Sequence, residues 1–413
     1  MTNKDNITKK DDRLRVARSK VSWVVFVSTL VVVLISLVTV LFPSLIIRST
    51  SSFKDIVINP YEIGVWTYPL LASNFILLII GILYFKNSLP AILTKSIRFI
   101  FDFEVSRKTA LITLLVILGG YIILNASEIS TEERWVDYKG VKDGVQKWSV
   151  SDIRGFDIHV KYFLLSASLN LFGNIRLIPF IGSIALLVAC YYITKDIARK
   201  RFAGLVATVV LFQSNVFLSY DTSATYDNFW ILFYVISLYT VQKRRWYFSP
   251  ISYILSIFSK TLTAGFIPMT FYWIYRADIA KKKKIRLAIS YGVILLVAIV
   301  SVYFFNINLI FGNVEFSGND FWRGFTTWAF QLRFDLLVLL FILPLVVGLF
   351  ICSRRGIRHA ESVMVLIMGI LLSAPFLQGF TDLTNQPYRF VPLVVFFAMG
   401  VGTILTKRAS EKA

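Results

Sequence analysis

The sequence has little of the chemistry used in disulfides, thiolate metal sites and zinc centres. Its 413 residues include two cysteines and two histidines. Cys190 and Cys352 both lie in or beside apolar segments, so neither a disulfide framework nor a thiolate metal site is indicated. With only His159 and His359 available as imidazole ligands, no zinc site is expected.

Charged residues are scarce as well. They make up 16% of the chain, whereas 56% of the residues are hydrophobic and 15% are aromatic. Together with a mean hydropathy of +0.67, this composition excludes a soluble globular domain. Repeated apolar runs of about 20 residues predict an all-α, polytopic membrane helical bundle, because backbone polar groups in lipid must be satisfied within each segment.

The apolar runs predict about twelve membrane helices, two of them short. Full spans are expected at residues 21–47, 65–85, 110–124, 175–194, 202–218, 227–241, 286–305, 334–352, 363–376 and 390–406. Two half-length helices are expected within 247–275, meeting near Ser259-Lys260-Thr261. A broken helix at membrane depth is tolerated where it faces protein or a wet cavity, so Lys260 becomes a functional candidate. The short apolar stretch 157–172 is placed along the outer interface or only partly inserted in the membrane.

The positive charge is distributed in a way that indicates a membrane orientation. The formal net charge is +20, but the basic residues alternate with apolar runs, which argues against a nucleic-acid partner. They cluster in the N-terminal tail and at 86–108, 195–201, 243–245, 276–286, 354–358 and 407–412. By the positive-inside rule, the chain is a multi-pass cell-membrane protein with both termini in the cytoplasm.

The longest polar segment, residues 125–176, falls on the opposite, extracytoplasmic side. We expect three regions: residues 1–108, with a tail, two extra membrane helices and a cytoplasmic interfacial segment; residues 109–406, the membrane domain that carries this outer loop; and a cytoplasmic tail, 407–413. The loop concentrates carboxylates near the membrane surface. Such groups can act as general bases, and a desolvated lysine or arginine can stabilise phosphate charge.

Several motifs occur in a consistent order. They are FDIHVKYFLLSASLNLFGNIRLIPFIGSIALLVACYYITKDIARKRFAGLVATVVLFQSN, then YDNFWILFYVISLYT, SKTLTAGFIPM and PYRFVPLV. This order resembles the polytopic C-type glycosyltransferases that use lipid-linked sugars, including the dolichol-phosphate-mannose protein mannosyltransferases and the bacterial aminoarabinose transferases. The likeness covers about half of the chain.

The resemblance implies an inverting transfer of a hexose or mannose-type sugar from a polyprenyl or dolichyl phosphate to a protein, lipid or glycan acceptor. The candidate catalytic residues are Glu132, Glu133 and Asp227. The candidates for binding substrate and lipid phosphate are Glu128, Asp137, His159, Lys161, Lys260 and Arg389. No cofactor is indicated with certainty, although some relatives hold a divalent cation through such acids. A lipid-embedded donor also agrees with the lack of a glycine-rich phosphate loop.

Each candidate residue also has a structural interpretation. In that interpretation Glu132 and Glu133 are solvated charges of a loop, and Asp227 caps a helix. The Lys260 side chain extends to the membrane interface, and Arg389 anchors the chain at the lipid headgroups. Two other function classes stay open: a transporter or flippase of lipid-linked saccharide, which also uses intramembrane charge and broken helices, and an inactive relative that scaffolds a complex.

Overall fold

The computed structural model describes residues 20–45, 59, 61–86, 88–149, 158–304, 315–380 and 386–406. Helix makes up 81% of the structure, and the described residues contain no strand. The predicted all-α class is therefore confirmed. The cytoplasmic tails predicted before residue 20 and at 407–413 lie outside the described residues, as do residues 150–157, 305–314 and 381–385 of the predicted outer loops.

The described residues form seventeen α-helices. These are α1 (Lys20–Leu41), α2 (Thr67–Phe85), α3 (Ala91–Asp102), α4 (Arg107–Ile129), α5 (Tyr138–Lys147), α6 (His159–Phe172), α7 (Leu177–Ala198), α8 (Arg201–Phe212), α9 (Asn215–Tyr220), α10 (Phe229–Gln242), α11 (Phe248–Ser259), α12 (Ile267–Arg276), α13 (Lys281–Phe304), α14 (Gly318–Ala329), α15 (Leu336–Arg354), α16 (Arg358–Gln378) and α17 (Val391–Ile404). Short 3₁₀ helices cover Thr261–Phe266, Phe330–Phe334 and Pro387–Phe390.

Among the described residues, seven helices are long and apolar enough to cross a membrane. They are Lys20–Leu41, Thr67–Tyr84, Arg107–Ile129, Leu177–Ala198, Leu336–Arg354, Arg358–Gln378 and Pro387–Ile404. Three shorter apolar helices, α8, α10 and α11, accompany them. The architecture is thus that of a helical membrane protein, while the predicted total of about twelve membrane helices is not confirmed.

The centre of the bundle is formed by α16 and α17. Helix α17 is apolar on all sides and almost entirely buried, which is the pattern of a core helix. It packs against α7, α8, α15 and α16. A Cβ atom at Gly402 would lie 2.6 Å from the carbonyl oxygen of Ala203. A glycine there lets α17 approach α8 closely, as small residues do in membrane helix packing.

A buried carboxylate joins four helices near the start of α1. Glu361 is fully buried and accepts hydrogen bonds from the hydroxyls of Tyr272 (2.8 Å) and Ser353 (2.6 Å). It also accepts one from the Ser22 hydroxyl, and the Arg276 Nε atom lies 3.1 Å away. The ion pair and the hydroxyls compensate a charge that would otherwise be costly to bury. They fix α1, α12 and α15 to α16.

The predicted break between two half-length helices is confirmed. Helix α11 ends at Ser259, Lys260 adopts an extended conformation, and the 3₁₀ turn Thr261–Phe266 leads into α12. The Tyr253 hydroxyl donates to the Thr263 carbonyl oxygen at 2.5 Å. This side chain satisfies a backbone acceptor near the break, as an interrupted helix inside a membrane protein requires.

The span predicted at 202–218 is wrong as a single helix. It divides into α8 and α9 at Ser214, whose hydroxyl accepts from the backbone N–H of Phe217 at 3.0 Å and so caps α9. The same hydroxyl donates to Asp335, the N-cap of α15, whose other oxygen accepts from the N–H of Val338 at 3.1 Å. The polar residues Gln213, Ser214 and Asn215 within the apolar run lie at this break, whereas the contact with Asp335 joins residues distant in the sequence.

The segments outside the core take different forms. Helix α3, predicted as part of the interfacial segment, has no buried residue and exposes Ile92 and Phe99. Helix α14 lies within the stretch 306–333 that was predicted to be an outer loop. Helix α1 packs against α15 and α16, and α2 packs against α15. The division into a region 1–108 and a catalytic domain 109–406 stays a prediction.

Candidate functional site

Arg176 organises one end of the bundle, which we call the loop end because α4 ends there and α7 and α10 begin there. Its side chain is buried. The guanidinium donates to the Thr222 carbonyl oxygen at 3.0 Å and to its hydroxyl at 2.5 Å. It also donates to the carbonyl oxygens of Thr131, at 2.7 Å, and of Glu128. Arg176 therefore fastens the end of α4 to the loop 221–228.

Glu133 completes this connection. Its side chain is 1% exposed, and its carboxylate lies 3.7 Å from Nε of Arg176. It accepts from the Ser223 hydroxyl at 3.1 Å and from the Thr225 N–H at 3.2 Å. The N–H of Ala224 donates to it as well. Successive backbone amides form a site that suits a carboxylate, so Glu133 holds the loop in place.

Its neighbour Glu132 faces the opposite way. The Glu132 side chain is 74% exposed and lies 2.5 Å from the Lys142 ammonium. The hydrogen bond from Lys142 lowers the pKa of Glu132. The structure therefore separates the predicted pair. Glu133 is buried and bonded to Arg176 and to the loop 221–228, whereas Glu132 is an ionised group in solvent.

The other two predicted loop carboxylates are exposed and contact the loop 221–228. Glu128 accepts from the Thr222 hydroxyl at 3.1 Å and lies 4.0 Å from Arg176. Asp137 accepts from the Tyr226 hydroxyl at 2.9 Å. Burial and the neighbouring Asp137 raise the pKa of Tyr226, so its phenol stays protonated and serves as a donor.

Asp227 and Lys161 form an ion pair across 3.1 Å, with side chains 3% and 10% exposed. Lys161 also donates to the Thr225 carbonyl oxygen at 2.6 Å. The second oxygen of Asp227 accepts from the N–H of Phe229 at the start of α10, at 3.1 Å. Asp227 therefore binds the start of α10, although the N-cap position itself is Asn228, and its catalytic role stays a prediction.

Aromatic side chains extend this arrangement. We call Trp135, Tyr220, Tyr226 and Tyr388 the aromatic cluster. The Tyr226 and Tyr388 rings stack with centroids 4.2 Å apart, and Trp135 stacks on Tyr220 at 5.2 Å. Trp135 also meets Tyr226 edge to face at 5.3 Å. The cluster joins the predicted outer loop to the start of the last span.

Lys260 and Arg389 both contact Tyr388. The Lys260 ammonium lies 3.9 Å from the centroid of the Tyr388 ring and 5.4 Å from that of Trp230. Arg389 donates from Nε to the Tyr388 hydroxyl at 3.3 Å. Lys161 and Arg389 are both close enough to Lys260 to repel its charge. Three of the predicted binding residues therefore meet in one cationic group beside Asp227.

His159 lies near this group. It begins α6, and its ring centroid is 6.3 Å from that of Phe258, two residues before the break at Lys260. Seven of the nine predicted residues belong to the loop 221–228, contact it, or belong to the cationic group, Glu128 and Asp137 from exposed positions. Glu132 instead pairs with Lys142 in solvent.

Asp221 was not among the predicted residues. It is fully buried beside Tyr121, and neither of its carboxylate oxygens accepts a well-formed hydrogen bond within the described part of the chain. Burial raises the pKa of Asp221 to about 7. Arg176 was likewise missed as a site residue. A single cation directly before an apolar span was the available signal for Arg176, whereas Asp221 ends an apolar stretch without any distinguishing pattern.

Within the described ranges, no three His, Cys, Asp or Glu side chains come together as a metal site. No family model, no curated protein and no solved structure matches the chain. The structure by itself defines the class as a helical, membrane-type bundle with a charged and aromatic group at the loop end.

Proposed function

We propose that the chain is a membrane glycosyltransferase with about twelve membrane helices and a C-type fold. It moves a hexose or mannose-type sugar from a polyprenyl or dolichyl phosphate to a protein, lipid or glycan acceptor on the extracytoplasmic face. The observation that carries the proposal is the grouping of Lys161, Lys260 and Arg389 with the buried Asp227.

The cationic group suits the phosphate of the donor. Among the described residues, neither Lys260 nor Arg389 has a carboxylate partner, so their charge is available to an anion. Lysine and arginine away from bulk water stabilise phosphate oxygens far better than in solution. The ring of Tyr388 orients both cations, and the aromatic cluster supplies flat apolar surface with hydroxyl groups at its edges for the sugar.

The predicted base is a carboxylate. It takes the proton of the acceptor hydroxyl, whose oxygen forms a bond to the anomeric carbon while the bond between that carbon and the phosphate oxygen breaks. The lipid phosphate leaves with the bonding electrons, and the cations take up its charge. Asp227 is the preferred base because it is the candidate carboxylate that lies beside these cations, whereas Glu133 lies beside Arg176 and Glu132 faces solvent.

The test uses purified full-length protein and a polyprenyl-phosphate hexose, with release of free lipid phosphate as the readout. We expect Asp227→Asn to lower turnover by about 10²-fold or more. Lys260→Met is expected to raise the KM for the donor, since it removes an uncompensated cation. Glu132→Gln is the matched control and should keep wild-type turnover.

The same assay separates the competing classes. Donor binding without release of lipid phosphate, together with movement of the lipid-linked sugar across vesicles, would assign a transporter or flippase. Absence of both binding and turnover would assign a scaffold protein. Unchanged turnover in Asp227→Asn would remove this residue as the base.

A further inference from the structure

A second polar region lies at the end of the bundle opposite the loop end. A cavity of about 580 Å³ opens between the start of α4, the end of α7 and the start of α8; we call it the basic cavity. Helix α7 has 22 residues and separates it from Arg176. At 1.5 Å per residue that helix is about 33 Å long, which is close to one bilayer thickness.

Cations outnumber carboxylates in the lining of the basic cavity. Its charged residues are Arg107, Lys195, Arg199, Lys200 and Arg201, with Glu104 and Asp196. An excess of positive charge in a concave surface concentrates anions. A cation of the lining can bind an anionic ligand only if it is not already paired with one of the two acids or bonded to another group.

Both acids of the lining already have hydrogen-bond or ion-pair partners. Glu104 accepts from the backbone N–H of Val105 at 3.0 Å and of Arg201 at 3.1 Å. Asp196 lies 2.8 Å from the ammonium of Lys243, which is not part of the lining. Lys195 is 3.9 Å from the other oxygen of Asp196. The two carboxylates therefore offset at most two of the five positive charges of the lining.

Two of the three guanidinium groups in the lining carry the charge that is left for a ligand, since the third, that of Arg201, donates to the Val105 carbonyl oxygen at 3.1 Å. Arg107 and Arg199 have no ion-pair partner among the residues that the structure describes. Lys200, by contrast, donates to the carbonyl oxygens of Ile100 and Phe101 at 3.2 and 2.8 Å, which ties α3 to the α7–α8 turn. Arg107 and Arg199 are thus available to a ligand, whereas Lys200 has a structural role.

The backbone at Arg199 supports a role in binding. Its φ angle is 54°, in the left-handed region where glycine or asparagine usually ends a helix. A long side chain in that conformation is disfavoured sterically, and such positions are concentrated at functional sites. At this helix end the chain places a cation at the mouth of a cavity.

The rim of the cavity is apolar on the side of α4. Leu111 belongs to the lining and is 41% exposed. The next turn of the same helix exposes Ile112 (62%) and Leu115 (67%), and α3 exposes Phe99 (63%). Helices with exposed apolar faces beside basic residues lie in the interface between headgroups and acyl chains. The cavity therefore opens where a lipid headgroup meets its hydrocarbon.

We propose that the basic cavity binds the phosphate group of an anionic phospholipid in the adjacent leaflet. The guanidinium groups of Arg107 and Arg199 contact the phosphate, and Leu111 contacts the start of the acyl chains. Arginine suits this role because its planar donors match phosphate oxygens in pairs. The site is independent of the glycosyl transfer proposed for the loop end.

The test measures binding of a fluorescent phosphatidylglycerol to the full-length protein in phosphatidylcholine nanodiscs. The main variant combines Arg107→Gln with Arg199→Asn, since asparagine tolerates the left-handed backbone. With about 1 kcal/mol for each basic residue near an anionic surface, we expect affinity to fall roughly 30-fold. Arg107→Gln alone should lower it about fivefold, and a thermal unfolding curve verifies that each variant is folded.

The matched control is Lys95→Gln with Arg98→Gln, which removes the same charge from exposed positions of α3 outside the cavity. It should lower the affinity for phosphatidylglycerol clearly less than the cavity variant does, because these side chains do not line the cavity. Equal loss in this control would show nonspecific attraction and overturn the proposal, as would unchanged affinity in the folded cavity variants. Displacement of the lipid by millimolar inorganic phosphate would assign a free anion and overturn the lipid assignment.

Discussion

The rings of Tyr226 and Tyr388 stack in parallel, with an interplanar angle of 13°. Tyr226 belongs to the loop 221–228 and donates to Asp137, whereas Tyr388 precedes α17 and carries the Lys260 ammonium on its ring. One ring contact therefore connects the acidic loop, the start of the last span and the broken helix.

Replacement of Tyr388 tests this contact. Tyr388→Ala removes both the stack and the cation–π contact, so we expect the KM for the lipid-linked donor to rise about tenfold or more. Tyr388→Phe keeps the ring and should retain most of the donor affinity. Equal kinetic constants for the Ala and Phe variants would contradict a role for the ring.

The Arg176 network predicts a loss of stability. Arg176→Met leaves the carboxylate of Glu133 buried without its cation and removes the donors to Thr131 and Thr222. Breaking a buried pair in this way costs about 3–5 kcal/mol of unfolding free energy. The measurement is thermal unfolding in detergent, together with protease cleavage within residues 125–176.

Lys142→Met is the control for Arg176→Met. It also removes a cation from a glutamate, but the Glu132–Lys142 pair is exposed, and exposed pairs contribute little to stability. Its unfolding temperature should match that of the wild type. A wild-type unfolding temperature for Arg176→Met would instead show that the network does not hold the loop.

Asp221 predicts a specific pH dependence. Because burial raises its pKa from 3.8 to about 7, the folded chain keeps a proton that the unfolded chain releases between about pH 4 and pH 7. The free energy of unfolding should therefore fall as the pH rises through this window, by about 1.4 kcal/mol per pH unit from this group, and level off above it. The measurement is the unfolding temperature across that range.

Asp221→Asn removes this titrating group, so the decrease of the unfolding free energy between about pH 4 and pH 7 should lose the contribution of Asp221. At pH 8 the variant should be more stable than the wild type, because it buries no charge. The comparison variant is Asp143→Asn, an exposed aspartate in α5, which should keep the wild-type slope. Identical pH profiles for Asp221→Asn and the wild type would refute the assignment.

The features that could be predicted from the sequence depend on local patterns. The helical class follows from the length of the apolar runs, and the break at Lys260 follows from an interval too short for two spans between basic flanks. The neighbourhood of Asp227 and Lys161 was anticipated only through the order of the motifs. Their direct ion pair is a property of the packed structure.

The features that could not be predicted depend on contacts distant in the chain. Glu132 and Glu133 are adjacent and chemically equivalent, and Arg176 and the amides after Thr222 decide which one is buried. The partner of the Ser214 hydroxyl, Asp335, is likewise 121 residues away in the chain. Side-chain direction in such cases is fixed by partners that no local pattern identifies.

The hydrogen bond between Ser22 and Glu361 has a consequence for biosynthesis. Ser22 is in the first described helix to leave the ribosome. Both residues that bind its hydroxyl, Ser353 and Glu361, are translated much later. The residues of α1 are therefore translated long before the two groups that bind Ser22. A nascent chain that stops before α15 has contacts from Gly64 and Thr67 to the end of α1, but it lacks both partners of Ser22.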